Sequence, residues 1–350
     1  MSAVTHANLL VRKIPQSLPL VALLCLALPM NAQAGRAYVS DEDDNAVSVI
    51  DTDTQKVIST IDVGKRPRGL KLSPDDSLLY VAVSGLPKCG PREPEEECEK
   101  RKHDLAADGI AVVDTAKLKL VKALKAGTDP EQFDISPDGK RLFISNEDAA
   151  SVSVVDLATG KISAKIPVGK EPEGARVSPD GRIVIVTSES GNSVAVIDSH
   201  TLKVLRTVEV GKRPRDVAFT PDGKVIYVTG ESDSSLSKVV LAGAEPAQHI
   251  LNFRPEEHPM GVILDSRRHV LYVSTGRGGT VVVVSPDESK VVADVPVGPR
   301  PWGIALSSDG RYLYTANGPS NDVSIVDTSS MKVVDKVSVG HSPWGIVVSH

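Results

Sequence analysis

The chain has 350 residues, 41% of them hydrophobic and 24% charged, the balance of an ordinary globular protein. Its 27 Gly and 24 Pro against 3% aromatics favour many short strands joined by tight turns and speak against a helix bundle. A net charge of -5 excludes nucleic-acid binding driven by bulk charge.

In chain order, residues 1–34 read as an export signal. Arg12 and Lys13 form a positive start, Leu18 to Met30 an apolar run, and Ala32-Gln33-Ala34 a small-x-small cleavage site. The run is too short to span a membrane, and Pro19 and Pro29 bracket it against a buried helix. Leu24 stands before Cys25 where a lipoprotein signal needs a small residue, so the expected product is a free protein cut after Ala34. Export puts Cys89 and Cys98 in an oxidising compartment, where a disulfide between them would staple one loop. The alternative, metal binding, lacks a second pair of thiols.

From residue 35 onward the sequence repeats. Val63-Gly64-Lys65-Arg66-Pro67-Arg68-Gly69 recurs with variation, and the motif prolines are Pro67, Pro130, Pro172, Pro214, Pro259, Pro301 and Pro343. Their spacings are 63, 42, 42, 45, 42 and 42, so seven copies are present and the first gap holds an insertion, placed at 85–108. After each proline comes an alternating run, then a turn such as Ser136-Pro137-Asp138-Gly139, whose residues suit a tight hairpin. A second strand (Tyr227-Val228-Thr229), a polar loop, a third strand (Val47 to Asp51) and a fourth (Lys56 to Ile61) complete the period. This predicts an all-β, seven-bladed β-propeller with four antiparallel strands per blade, as one domain over 35–350. The chain enters on a second strand (Ala37-Tyr38-Val39) and ends on a lone first strand (Trp344 to Val348). Closure therefore requires that last strand to join the three N-terminal ones.

The tetrads Tyr80-Val81-Ala82-Val83, Phe143-Ile144-Ser145-Asn146, Tyr227-Val228-Thr229-Gly230 and Tyr314-Thr315-Ala316-Asn317 resemble the YVTN-type β-propeller repeat proteins. With the leader, seven repeats and this length, the chain is most similar to the periplasmic PQQ-dependent catabolism-associated β-propeller proteins. That likeness implies a periplasmic location beside a quinoprotein alcohol-oxidation system, and no reaction.

By fold-level analogy, the turn entering each first strand and the loop between second and third strands share one face. There the residue after each motif proline reads Trp344, Arg68, Glu131, Glu173, Arg215, Met260 and Trp302, counting blade one first. The only two tryptophans thus hold equivalent positions on neighbouring blades, near Arg66, Arg68 and Arg300. Such a wall suits a planar anionic ligand or a protein partner; the bland alternative is that the tryptophans pack turns. Glu42, Glu147, Glu189 and Glu231 fall at one position of the second-to-third strand loop, with Gly276 and Gly318 there in blades six and seven. Four acids around a mouth can hold a cation such as calcium, repel an anion, or simply be solvated. The insertion reads as a short flap over the rim or a passive loop.

No haem-attachment, nucleophile-elbow or zinc-helix motif is present. The expectation is a non-enzymatic ligand- or protein-binding module with no cofactor of its own and at most an indirect association with PQQ. It would act through Arg68, Arg215, Arg300, Trp302 and Trp344. Two alternatives stay open. Gly211 to Glu231 is similar to the segment where propeller lactonases place Arg and Glu, with Asp216 where they commonly have His. The other is an envelope adhesion or nucleic-acid-binding propeller.

Overall fold

The computed structural model describes residue 1 and residues 35–88 and 101–350. The expected leader, Cys89 and Cys98 lie outside the described residues. Seven four-stranded antiparallel sheets follow one another around a ring, which is the expected seven-bladed propeller. Blade one is Pro343–Val348, Arg36–Asp41, Ala46–Asp51 and Lys56–Asp62, from the inside outward. The other six take their four strands consecutively from the chain.

Closure is as the repeat count requires. Pro343–Val348 pairs with Arg36–Asp41 in the register Ala37↔Val348, Tyr38↔Val347 and Val39↔Ile346, so the ring has no open inner edge there. Side chains tighten the join. Asp44 accepts from the His341 amide at 2.7 Å and meets its ring Nδ1 at 2.8 Å, while the Ser342 hydroxyl donates to Asp43 at 2.5 Å.

Each strand alternates its side chains across the sheet, and both faces of the middle strands are covered by neighbouring blades. The apolar core is accordingly distributed between blades rather than collected at the axis. Tyr38, Val47 and Val49 of blade one pack with Leu70, Leu79 and Val81 of blade two. Tyr80, Phe143, Tyr227 and Tyr314, the aromatic positions of the tetrads, are buried, as are Tyr38 and Tyr272 at the equivalent positions of blades one and six. Where the third tetrad position carries a hydroxyl, it links one blade to the next by donating to the neighbouring blade's backbone. Ser40 reaches Arg68 O at 2.7 Å, Thr229 reaches Met260 O at 2.6 Å and Ser274 reaches Trp302 O at 2.8 Å. The Pro-x-Gly motif answers to the same interface. A Cβ on Gly174 would stand 2.4 Å from Arg215 O, and one on Gly345 would stand 2.6 Å from Arg68 O.

Hairpin turns such as Ser136 to Gly139 form as expected. The Ser136 hydroxyl donates to Asp138 at 2.6 Å, the Arg141 amide donates back to Ser136 at 2.9 Å, and Gly139 takes φ +69. Among the described residues no helix is long and apolar enough to cross a membrane.

Candidate functional site at one mouth of the ring

The residue before each motif proline is left-handed in all seven blades, from φ 43 at Arg66 to φ 55 at Arg213. Proline ordinarily pushes its predecessor toward extended backbone, so this conformation has to be held by something else. In six blades the carbonyl of that residue accepts the amide that opens the second-to-third strand loop. Examples are Glu189 N to Glu171 O at 2.9 Å, Glu231 N to Arg213 O at 3.1 Å and Gly276 N to His258 O at 2.8 Å. These bonds tie the entry turn to the loop and put both sets of side chains on one face. The face assignment made from the repeat register holds for this physical reason.

The two tryptophans meet. Trp302 and Trp344 stack with centroids 5.4 Å apart and planes inclined by 28°. Both are partly exposed. Arg300 lies 5.3 Å and Arg215 5.5 Å from the Trp302 ring centre.

The arginines divide by partner. Arg215 is buried and bound by three carboxylates, Glu173, Glu189 and Glu231, the last at 2.5 Å. Burial alone would favour losing its proton, but the three acids hold the guanidinium charged. Arg68 is buried between Asp129, at 2.5 Å, and Glu131. Both are engaged by acidic residues of the fold, and of the Arg68 guanidinium only Nε lacks a hydrogen-bond partner among the described residues. Arg300 alone of the three makes no ion pair among the described residues, and burial draws its pKa down.

The four equivalent glutamates separate in the same way. Glu42 pairs with Arg66 at 3.2 Å and with Lys88 at 3.0 Å. Glu189 and Glu231 pair with Arg213 at 2.6 and 3.5 Å as well as with Arg215. Only Glu147 lacks a basic partner among the described residues. It sits instead with Asp129 and Glu131, and one oxygen from each of the three carboxylates lies within 4.8 Å of the others. Burial pushes the Glu147 carboxyl up to about 7, and Asp129 and Glu189 add to the rise against Arg68. Burial also acts upward on Asp129, yet Arg68 and the Ser84 hydroxyl hold it low. Glu173 is raised well above its ordinary value by burial, whereas its neighbour Glu189, against the pull of burial, is kept low by Glu173, Arg215 and Arg213. A cation held jointly by Glu42, Glu147, Glu189 and Glu231 is therefore not what the side chains provide. Three of them are taken up by arginines.

Below the mouth, the innermost strands enclose a cavity of about 320 Å³. Its wall is polar on blades two to five, with Lys71, Gln132, Arg176 and Asp216, and apolar on blades six, seven and one, with Ile263, Ala305 and Val347. Lys71 and Asp134 are 3.4 Å apart, and Arg176 and Asp216 are 2.8 Å apart. This inner belt was not among the residues expected from sequence. The fourth position after each motif proline carries Lys71, Asp134 and Arg176, so the same register could have found most of it.

A model of YNCE-like β-propellers matches residues 106–223, which include Glu131, Glu147, Glu173, Glu189 and Arg215. Antigen Lp49 of Leptospira interrogans serogroup Icterohaemorrhagiae serovar copenhageni (strain Fiocruz L1-130) is 33% identical over 111 residues, 32% of this chain. That match spans 23% of the length of Lp49. Among solved structures, hydrazine synthase of Kuenenia stuttgartiensis superposes with a TM-score of 0.71 at 23% identity, over 83% of this chain and 92% of that one. A candidate 6-phosphogluconolactonase of Bacteroides fragilis NCTC 9343 gives 0.72 at 17% identity, over 92% and 100%. Likenesses at this identity speak for the fold alone. The chain is a seven-bladed β-propeller, YNCE-like over residues 106–223.

Proposed function

We propose that this chain is a periplasmic, non-enzymatic recognition module of a quinoprotein alcohol-oxidation system, and that it meets its partner through the Trp302–Trp344 rim. One observation carries the rim. The only two tryptophans of the chain, 42 residues apart, are stacked and partly exposed at the mouth beside Arg300, which makes no ion pair among the described residues. Amphipathic aromatics and arginine at the centre of a concave surface are the usual anchors of recognition. The periplasmic and quinoprotein parts rest on the leader and on the repeat resemblance.

The lactonase alternative loses its base. Asp216 accepts amides from Val217 at 2.8 Å and Val262 at 3.2 Å and pairs with Arg176, so both oxygens are occupied by the fold. Among the described residues the buried arginines of this mouth, Arg68 and Arg215, are paired with carboxylates and offer little to a nucleic-acid backbone. The test is retrieval of partners from periplasm by residues 35–350, with and without added PQQ, beside Trp344→Ala. Enrichment of a quinoprotein dehydrogenase that falls at least tenfold in the variant supports the reading. Equal retrieval by both proteins overturns it.

A further inference from the structure

The polar wall of the central cavity has an excess of hydrogen-bond donors. Lys71 offers three N–H groups and has one partner among the described residues, Asp134 at 3.4 Å. Arg176 donates to the side-chain Oε1 of Gln132 at 3.3 Å, which leaves the side-chain Nε2 of Gln132 without a partner among the described residues. The acceptors, in contrast, are used. Asp134 takes the Ile135 amide at 3.0 Å and the Val177 amide at 2.9 Å, and Asp216 takes two amides and Arg176. These aspartates close the ring from blade three to four and from five to six. They are structural, and their charge is spread over four backbone amides.

Across the lumen the wall is apolar, with Ile263, Ala305 and Val347, and Trp302 and Trp344 stand above it. Lys71, in the strand Leu70–Leu72, lies three residues along the chain from Arg68, roughly 10 Å below the mouth ring at the usual extended rise. The enclosed volume of about 320 Å³ is at the small end of ligand pockets.

We propose that this cavity binds a small organic monocarboxylate with an apolar or aromatic body, its carboxylate on Lys71 and Gln132 and its body against Ile263, Ala305 and Val347. A carboxylate is acceptor-only and answers a surplus of donors; an ammonium would add to it. Desolvation and the neighbouring Arg176 also draw the Lys71 amine below its ordinary pKa, and an arriving anion reverses that cost. The tryptophans of the rim form the upper end of the cavity lining, whereas Lys71 and Gln132 lie below them and Lys71 takes no part in the tryptophan stack.

The experiment is a titration of residues 35–350 with sodium benzoate, benzyl alcohol and benzylamine, followed by tryptophan fluorescence, since both tryptophans line the cavity. Saturable binding of benzoate is expected, at least tenfold tighter than benzyl alcohol, with none for benzylamine. Lys71→Met is expected to weaken benzoate at least tenfold, with its melting temperature measured alongside. Ala305→Leu, which fills the lumen from the apolar side and leaves every polar group in place, is expected to do the same. Benzoate binding unchanged in both variants, binding no tighter than the alcohol, or no saturable response overturns the proposal. Partner retrieval through the rim should persist in Lys71→Met, which separates failure of this site from failure of the rim.

Discussion

Arg215→Met is the sharpest probe of how this mouth is held together. Arg215 is 6% exposed and is the shared counter-ion of Glu173, Glu189 and Glu231. Removing one partner of a buried ion pair typically costs about 3–5 kcal/mol, because the other charge remains desolvated. Here three carboxylates are left, with Arg213, itself half exposed, as the nearest remaining cation. The sign with pH follows from the shifts. In the parent, Glu189 is held low, so its contribution is present above its ordinary pKa and is lost as pH falls. In the variant the orphaned acids move upward, and their stability is greatest below the ordinary carboxylate pKa and declines as pH rises. The destabilisation should therefore grow from pH 4.5 to pH 8 and reach about 3–5 kcal/mol at the upper end. With a urea m-value of about 3 kcal/mol/M, the midpoint falls by roughly 1–1.7 M at pH 8. Urea unfolding followed by fluorescence at pH 4.5, 6 and 8 measures this directly. Adding Glu189→Gln and Glu231→Gln to the variant should restore much of the loss at pH 8. A destabilisation that is the same at every pH, or that the glutamines leave untouched, would refute the reasoning.

Glu147→Gln should stabilise the protein at pH 8 and change it little at pH 5. The parent carboxyl, at about 7, favours folding while protonated and loses that contribution as pH rises; the gain is about 1–3 kcal/mol, read by urea unfolding. Deleting residues 341–350 removes the strand that pairs with Arg36–Asp41, and the whole ring should lose cooperative melting; an unchanged calorimetric transition would contradict the closure. Thr229→Val keeps its shape but removes the bond to Met260 O and the one accepted from the Asp216 amide, and about 1–3 kcal/mol should go with these buried partners, measured as a melting shift. Raising pH above neutrality should loosen the terminal clasp. His341 is raised by Asp44, so its contribution is intact below the ordinary histidine pKa and is lost above its own, and hydrogen exchange at Arg36–Asp41 should speed up.

The architecture was legible because the chain repeats. A period of 42 residues, prolines at fixed positions and turn residues at fixed offsets define strands, blade number and closure without reference to any contact. The mouth was legible for the same reason: equivalent positions of equivalent repeats emerge together. This placed Trp302, Trp344, Arg68, Arg215 and the four glutamates on one face before any distance was known.

Pairing between those side chains was not in the pattern. Glu173 and Arg215 are 42 residues apart in sequence, and whether they touch depends on how tightly the innermost strands approach around the axis. Neighbouring glycines set that approach through backbone contacts, as at Gly174 against Arg215 O. Register gives each residue an address, whereas charge cancellation depends on distances of a few ångströms in a desolvated mouth. The linear order of residues thus settled what this chain builds. Only the closed ring decided that Arg68 and Arg215 serve the fold, while Arg300, the tryptophan pair and Lys71 remain available to something else.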